Sequence, residues 1–264
     1  MQNVAMHGKF IWCELMTDDV DSAGRFYSSL TGWRVQELPI DNGPSYHVFE
    51  AGDGENRSAV GGMMVFPPEL KGRLPPNWTG YVAVNDVDET ARAFEPAGGV
   101  VQRAPEDIPG VGRFAVVADP HGAVLCIMTP IPPQNPPTLL QPGAAGTVGW
   151  NELYADDAEE ALDFYAQQFG WKKHHEVDMG AMGIYYIFAL NEVPLGGIMK
   201  KPSGASGACW RYYFVVEGLD AAMRRIKALQ GELLSEPMPV PGGSWILHAR
   251  DPQGAWFALT SSQR

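Results

Sequence analysis

The chain has few cysteines, no concentration of basic residues and no long apolar run. Its three cysteines, Cys13, Cys126 and Cys209, lie far apart and form no C-x-x-C pair, so they predict free thiols in a reducing compartment rather than a disulfide framework. No stretch approaches the roughly 18 uninterrupted apolar residues of a membrane span, and the first residues lack the pattern of a signal peptide. We therefore expect a cytoplasmic protein.

Basic residues are outnumbered by acidic ones. The sequence contains 31 Asp and Glu against 19 Lys and Arg, which gives a formal net charge of −12 at pH 7. Such a chain repels phosphate backbones and anionic lipids, and the sequence has no basic stripe to offset this repulsion. We therefore expect no nucleic-acid or membrane partner, and instead a small-molecule ligand bound by a monomer or homodimer.

The sequence contains a tandem repeat. WCELMTDDVDSAGRFYSSLTGW and WNELYADDAEEALDFYAQQFGW align without a gap, and ten positions are identical. The matching segments are 12–33 with 150–171, the glycine pairs 61–62 with 196–197, and 119–127 with 251–259. The offset falls from 138 to 132 residues along the chain, which indicates loop-sized deletions in the second copy.

A proline-rich segment separates the two copies. TPIPPQNPPTLLQPGAAGT, at residues 129–147, holds six prolines, and proline interrupts both helices and strand ladders. We predict one domain at 7–130, a linker at 131–145 and a second domain at 146–262.

Each half contains the same module twice. Hydrophobic periodicity predicts a strand, a helix and three more strands, an order written βαβββ. The predicted strands of the first half are 9–16, 33–38, 45–51, 59–66, 79–84, 100–103, 113–118 and 122–129, and its helices are at about 20–30 and 86–97. In the second half, helices are predicted near 157–169 and 219–230. The fold class is therefore α+β, with four such modules.

These motifs resemble the vicinal oxygen chelate superfamily of glyoxalase I, extradiol dioxygenases and bleomycin-resistance proteins. The similar segments are DDVDSAGRFY, DDAEEALDFY, the G-W after each of these helices and the two D-P-x-G turns. The resemblance, closest to fused two-domain glyoxalase-like proteins, implies cup-shaped mixed sheets with helices outside. It leaves open whether a cup combines modules one and two or modules one and four.

The resemblance also implies where a divalent metal would be held. The implied positions fall on Trp12 and Trp150, Thr79 and Arg211, Cys126 and Ala258, and near Met64 and Met199. Trp, Thr, Arg, Ala and Met are poor ligands for such a metal, and an arginine repels it. The six histidines are too scattered along the sequence to replace them. We therefore predict no metal and no cofactor.

A carboxylate follows each tryptophan on the same strand face, at Glu14 and Glu152. A buried carboxylate is costly unless it is paired or hydrogen-bonded. Two interpretations remain open: a general base or ligand anchor, or a structural hydrogen bond. For Cys126 we expect a packing role, because the sequence offers it no evident basic partner.

Aromatic side chains dominate the strand faces that the resemblance turns into the cups. The candidate ligand-binding residues are Trp12, Glu14, Thr79, Tyr81, Cys126, Trp150, Glu152, Tyr154, Arg211, Tyr213 and Trp256. Flat rings suit a planar or apolar ligand. The segments 105–112 and 236–243, rich in Pro and Gly, are predicted to form lids.

The leading hypothesis is a metal-independent protein that binds an apolar or aromatic small molecule, for sequestration, resistance or sensing. The alternative is a metal-dependent lyase, isomerase or dioxygenase of the same superfamily that acts on an oxygenated molecule. A third hypothesis is a protein-interaction scaffold.

Overall fold

The computed structural model describes residues 6–40, 43–54, 57–132 and 140–264. Most of the prolines of the predicted linker lie outside these residues. No helix in the described part of the chain is both long enough and apolar enough to cross a membrane.

The element order of the first half follows the prediction closely. It comprises β1 (Phe10–Thr17), α1 (Val20–Thr31), β2 (Arg34–Leu38), β3 (Tyr46–Ala51), β4 (Ser58–Val65), β5 (Asn77–Ala83), α2 (Val87–Phe94), β6 (Val100–Ile108), β7 (Gly112–Ala118) and β8 (Val124–Pro130). The α1 helix begins where Asp19 accepts a hydrogen bond from the Ser22 backbone N–H, at 2.9 Å, and ends at Gly32, whose φ is 75°. These are the expected capping interactions.

The second half repeats this order. It comprises β9 (Val148–Ala155), α3 (Ala158–Phe169), β10 (Lys172–Asp178), β11 (Ile184–Leu190), β12 (Val193–Lys200), β13 (Cys209–Val215), α4 (Leu219–Ala228), β14 (Glu232–Leu233), β15 (Met238–Pro239), β16 (Trp245–Arg250) and β17 (Trp256–Ser261). The last module differs from the others because two short strands, β14 and β15, both pair with β16.

The strands form two mixed sheets. The first has the order β2-β3-β4-β1-β5-β8-β7-β6, and the second has the order β10-β11-β12-β9-β13-β17-β16-β14. The parallel pairs include β1 with β4 and β5 with β8, and the outer strands pair antiparallel. Each sheet therefore contains the strands of consecutive modules, one with two and three with four.

Strand alternation gives each sheet two different faces. Leu15 and Leu153 are fully buried in the core, as expected for the face that packs against helices. The opposite face carries Glu14 in β1 and Glu152 in β9, and we call it the carboxylate face.

The described residues form two compact units that do not follow chain order. One unit consists of the described residues within 6–12, 79–132 and 150–211, and the other consists of those within 13–78, 140–149 and 212–264. The first therefore joins modules two and three, with α2 against α3, and the second joins modules one and four, with α1 against α4.

A buried hydrogen-bond chain explains two of the repeated motifs. In the second unit, the Trp78 indole donates to the Tyr27 hydroxyl at 2.8 Å, and Tyr27 donates to Asp251 at 3.1 Å. In the first unit, Trp210, Tyr165 and Asp119 form the same chain, with both distances at 3.1 Å. The tyrosine of each F-Y motif thus binds the aspartate of a D-P-x-G turn from the other half.

The two segments predicted as lids are parts of β-hairpins. In the first, β6 continues to Ile108, which pairs with Gly112 across a short turn. In the second, Pro239 pairs with Trp245, and the Val240 N–H donates to the Ser244 carbonyl. Ladder hydrogen bonds therefore form in these segments despite their Pro and Gly content.

Candidate functional site

In the first sheet, Glu14 is paired with a tyrosine. The Tyr46 hydroxyl donates to Glu14 Oε2 at 2.8 Å. Gly62 lies opposite Glu14 in the neighbouring strand, and a Cβ there would come within 2.1 Å of the Tyr46 hydroxyl. The glycine therefore provides the space in which the phenol ring reaches the carboxylate.

The second sheet repeats this arrangement and extends it. The Tyr185 hydroxyl donates to Glu152 Oε1 at 3.0 Å, and the Trp150 indole N–H donates to the Tyr185 hydroxyl at 2.7 Å. Gly197 lies opposite Glu152, and its Cβ would also come within 2.1 Å of Tyr185. Glu152 is only 6% exposed, so these hydrogen bonds offset much of its desolvation cost.

A second tyrosine and an arginine complete this group. Tyr154 is hydrogen-bonded to Glu152, and burial raises the pKa of its phenol, with the Glu152 charge raising it further and Arg211 opposing the rise. The Arg211 guanidinium lies over the Tyr154 ring, 4.7 Å from its centroid, and hydrogen-bonds the Cys209 thiol. Burial, followed by the Glu152 charge, also raises the pKa of Tyr185. We call Trp150, Glu152, Tyr154, Tyr185 and Arg211 the Glu152 network.

The predicted residues of the first half form an apolar cluster instead. Tyr81, Cys126, Phe114 and Met128 are buried together, and Trp12 packs against them. Cys126 is 4% exposed, as the predicted packing role requires. Thr79 is also buried, at the strand position equivalent to that of Arg211.

The remaining predicted residues lie in the last module. Tyr213 is 2% exposed, and its hydroxyl lies 3.0 Å from His248 Nε2. Ala258 pairs with both residues in the sheet, so its small side chain leaves room between them. Trp256 is 40% exposed, and its ring packs against the Arg250 guanidinium at 4.4 Å.

Sequence reasoning missed Tyr46, Tyr185 and His248. The first two carry a signal in the repeat, because YHVF at 46–49 aligns with YYIF at 185–188 at an offset of 139. His248 has Val116 as its counterpart in the first half, since each pairs with the equivalent residue of the last strand. The repeat therefore gives no signal for His248.

The side chains at the implied metal positions do not fit a divalent cation. Trp12 is engaged in the apolar cluster, and the Arg211 guanidinium brings a positive charge to the Glu152 network. Across the described ranges, no group of three or more His, Cys, Asp or Glu side chains is arranged to hold a metal. The tryptophans, threonine, alanine, methionines and arginine at these positions are poor ligands for such an ion, and the nearby carboxylates of Glu14 and Glu152 are hydrogen-bonded to tyrosines.

Two surface depressions lie elsewhere. One of about 440 Å³ is lined by residues that include Arg34, Glu50 and Arg57. The other, of about 250 Å³, lies beside α3 and includes Trp171 and Tyr186. Neither is lined by a residue of the Glu152 network.

Comparison with known proteins places both halves in one family. Residues 12–128 match the model of the glyoxalase-like domain, and residues 147–259 match that of the Glyoxalase/Bleomycin resistance protein/Dioxygenase superfamily. A protein of Mycobacterium tuberculosis (strain CDC 1551 / Oshkosh) named "Putative glyoxylase CFP32" is 32% identical over 248 residues, which cover 94% of this chain and 92% of that protein. The anthracycline biosynthesis protein DauV of Streptomyces sp. (strain C5) is 31% identical over 260 residues, which cover 94% and 91%.

Solved structures share the fold at low sequence identity. The Mn(II)-bound glyoxalase from Novosphingobium aromaticivorans superposes with a TM-score of 0.63 at 15% identity, over 97% of this chain and 83% of that one. The 2,3-dioxygenase LapB from Pseudomonas sp. KL28 gives 0.63 at 13% identity, over 97% and 93%.

Proposed function

Because this chain belongs to the Glyoxalase/Bleomycin resistance protein/Dioxygenase superfamily, we propose that it binds a planar, apolar or aromatic small molecule without a metal. The proposed site is the carboxylate face of the second sheet. The observation that carries the proposal is the Glu152 network, which holds a carboxylate and a guanidinium beside an indole and two phenol rings.

The indole of Trp150 supplies the apolar surface. It is half-buried, and its N–H is already satisfied by Tyr185 at 2.7 Å. With its polar atom engaged, the ring offers a flat apolar face, which favours stacking against another planar ring. We expect the ligand to lie against this indole.

Glu152 and Arg211 supply the polar contacts. Apolar ligand sites use a small number of placed polar groups to fix orientation. Glu152 is hydrogen-bonded to Tyr154, and the Arg211 guanidinium lies over the Tyr154 ring. The two charged groups therefore lie close enough together to contact one small molecule. The first sheet has Thr79 in place of Arg211, which is why we place the site in the second.

The relatives are consistent with this ligand class. DauV and the similar protein DnrV of Streptomyces peucetius are named anthracycline biosynthesis proteins, and anthracyclines contain a planar, hydroxylated quinone. The function we propose is retention of such a molecule, in sequestration, resistance or sensing. The rival function, a metal-dependent lyase, isomerase or dioxygenase, is less well supported because it needs ligands at positions that hold tryptophan, threonine and arginine.

Tryptophan fluorescence tests the proposal. Titration with planar ligands, beginning with a dihydroxyanthraquinone, is expected to give saturable quenching. Trp150→Phe is expected to weaken binding by up to about tenfold, because stacking contributes roughly 0.5–1.5 kcal/mol. Trp245→Phe, a change at another half-buried tryptophan that contacts Arg264, is the matched control. Quenching that never saturates, or that both variants leave unchanged, would contradict the proposal.

A further inference from the structure

We propose that Glu152 accepts a hydrogen bond from a neutral hydroxyl group of the ligand, and that Tyr185 is the positioning residue that holds the carboxylate for it. This inference rests on the proposed function, because it names the chemical group by which the planar molecule is recognised.

The direction of the hydrogen bonds makes Glu152 an acceptor. An indole N–H can only donate, so the contact from Trp150 to Tyr185 occupies the phenol oxygen as an acceptor. The phenol proton is therefore directed at Glu152, 3.0 Å away. Burial and the Glu152 charge raise the pKa of Tyr185, which keeps that proton in place.

The Glu152 carboxylate takes part in its hydrogen bonds only as an acceptor. Tyr154 and Tyr185 both donate to it. An ionised carboxylate has no proton to donate. A ligand group that hydrogen-bonds Glu152 must therefore bring its own proton.

The neighbouring charges favour a neutral donor. The Arg211 guanidinium lies 4.7 Å from the centre of the Tyr154 ring, whose hydroxyl binds Glu152. A cation near Arg211 is disfavoured by repulsion, and an anion is disfavoured by Glu152. A hydroxyl on an aromatic ring is neither a cation nor an anion, and it can donate a hydrogen bond to Glu152.

The glycine of β12 makes this arrangement possible. A Cβ on Gly197 would lie 2.1 Å from the Tyr185 hydroxyl, so only glycine leaves the ring in its place. The equivalent group in the first sheet, Gly62, Tyr46 and Glu14, has the same geometry, with 2.1 Å and 2.8 Å for the corresponding distances. Thr79 stands there in place of Arg211, so that sheet lacks the charge that selects against an ammonium group.

Isothermal titration calorimetry with four naphthalenes shows whether the site prefers a neutral hydroxyl, a cation or an anion. The probes are naphthol, methoxynaphthalene, naphthylmethylammonium and naphthoate, which share one ring system and differ in charge and hydrogen-bond donation. Naphthol is expected to bind at least about tenfold more tightly than the methoxy compound, since one charge-assisted hydrogen bond contributes roughly 1.5–3 kcal/mol.

Variants identify the residues responsible. Tyr185→Phe is expected to reduce the preference for naphthol over methoxynaphthalene about fivefold or more. The matched control is Tyr186→Phe, at the next position of β11, where the ring lies against Lys173; it should change neither affinity. Glu152→Gln should raise the affinity for naphthoate relative to naphthol, which gives a second test if Tyr185→Phe does not fold.

The outcomes distinguish the inference from the proposed function. If none of the four probes binds, the proposed function fails and the inference fails with it. If the probes bind with equal affinity, if the ammonium compound binds best, or if Tyr185→Phe and Tyr186→Phe behave alike, the inference is overturned while binding of planar molecules stands.

Discussion

Glu14 and Glu152 are each held by a tyrosine that a facing glycine admits. The sequence left open whether these carboxylates are structural or functional. The hydrogen bond to tyrosine is common to both halves, so it accounts for the retention of both carboxylates. Glu152, unlike Glu14, also has Tyr154 and Arg211 beside it. This difference favours a role in ligand binding for Glu152.

Replacing Gly197 by alanine tests the space beneath Tyr185. We expect a modest loss of stability, because the group in the way is the far end of a side chain, but a loss of planar-ligand binding of about tenfold or more. Gly207→Ala is the matched control, since a Cβ there meets nothing within 4 Å. Unfolding in urea and ligand titration measure the two effects, and unchanged binding by Gly197→Ala would contradict the argument.

Tyr27→Phe tests the buried hydrogen-bond chain. The change removes one hydroxyl and leaves the Trp78 N–H and the Asp251 carboxylate each short of one hydrogen bond. We expect a loss of about 1–3 kcal/mol in the free energy of unfolding, measured in urea. The control, Tyr186→Phe, should lose less than about 0.5 kcal/mol. Equal losses in the two variants would show that the buried hydrogen-bond chain does not stabilise the fold.

Local sequence signals predicted the residues of single strands better than the contacts between strands. The faces of β1 and β9 follow from alternation, so Trp12, Glu14, Trp150 and Glu152 could be placed together from sequence. Tyr46 and Tyr185 lie two strands away from the glutamates, beyond the glycines of β4 and β12. Their contact with the glutamates depends on strand order and register, which the sequence pattern did not specify.

At the scale of elements, helices and strands were predicted to within a few residues because caps and periodicity coincide. The exception is β6, which was predicted at 100–103 but continues to Ile108. The α2 helix was predicted to about residue 97 and ends at Phe94. Gly98, with φ of 93°, and the hydrogen bond from the Gly99 N–H to the Phe94 carbonyl close the helix earlier. Two glycines in succession favoured this tighter ending.

The D-P-x-G turns predict a pH dependence. Burial raises the pKa of Asp251, although hydrogen bonds from the Ala255 N–H and Tyr27 oppose the rise. Because the folded protein holds this proton more tightly than the unfolded chain, the carboxyl contributes most stability below its ordinary pKa of about 3.9. That contribution falls as the pH rises through the raised value.

Asp251→Asn should remove this component. The free energy of unfolding of the wild type, relative to the variant, is expected to decrease as the pH rises from about 4 and then to level off. Urea unfolding across this range measures the difference. A difference that stays constant or increases with pH would show that burial does not govern this carboxyl.

At the scale of the whole molecule, the two copies of the repeat do not coincide with the two compact units. Each compact unit combines one module from each half, and the buried Tyr27–Asp251 and Tyr165–Asp119 contacts join residues 224 and 46 positions apart. The sequence showed the duplication, but its modules identified neither unit, because the pairing depends on contacts distant in sequence.

Separating the halves tests this organisation. Fragments of residues 1–132 and 140–264 are each expected to lack a cooperative thermal transition, because each loses the partner of a buried tyrosine or aspartate. Co-expression should restore the transition, as followed by circular dichroism. Cooperative unfolding of either fragment alone, at the temperature of the full chain, would contradict the expectation.

Binding of a planar ligand to protein treated with chelator tests the central claim most directly. We predict that a dihydroxyanthraquinone or naphthol binds the metal-depleted protein as tightly as the untreated protein, and that added Mn(II) leaves the affinity unchanged. Binding that disappears with the chelator and returns in proportion to the restored metal would contradict the account, and would favour the metal-dependent enzyme.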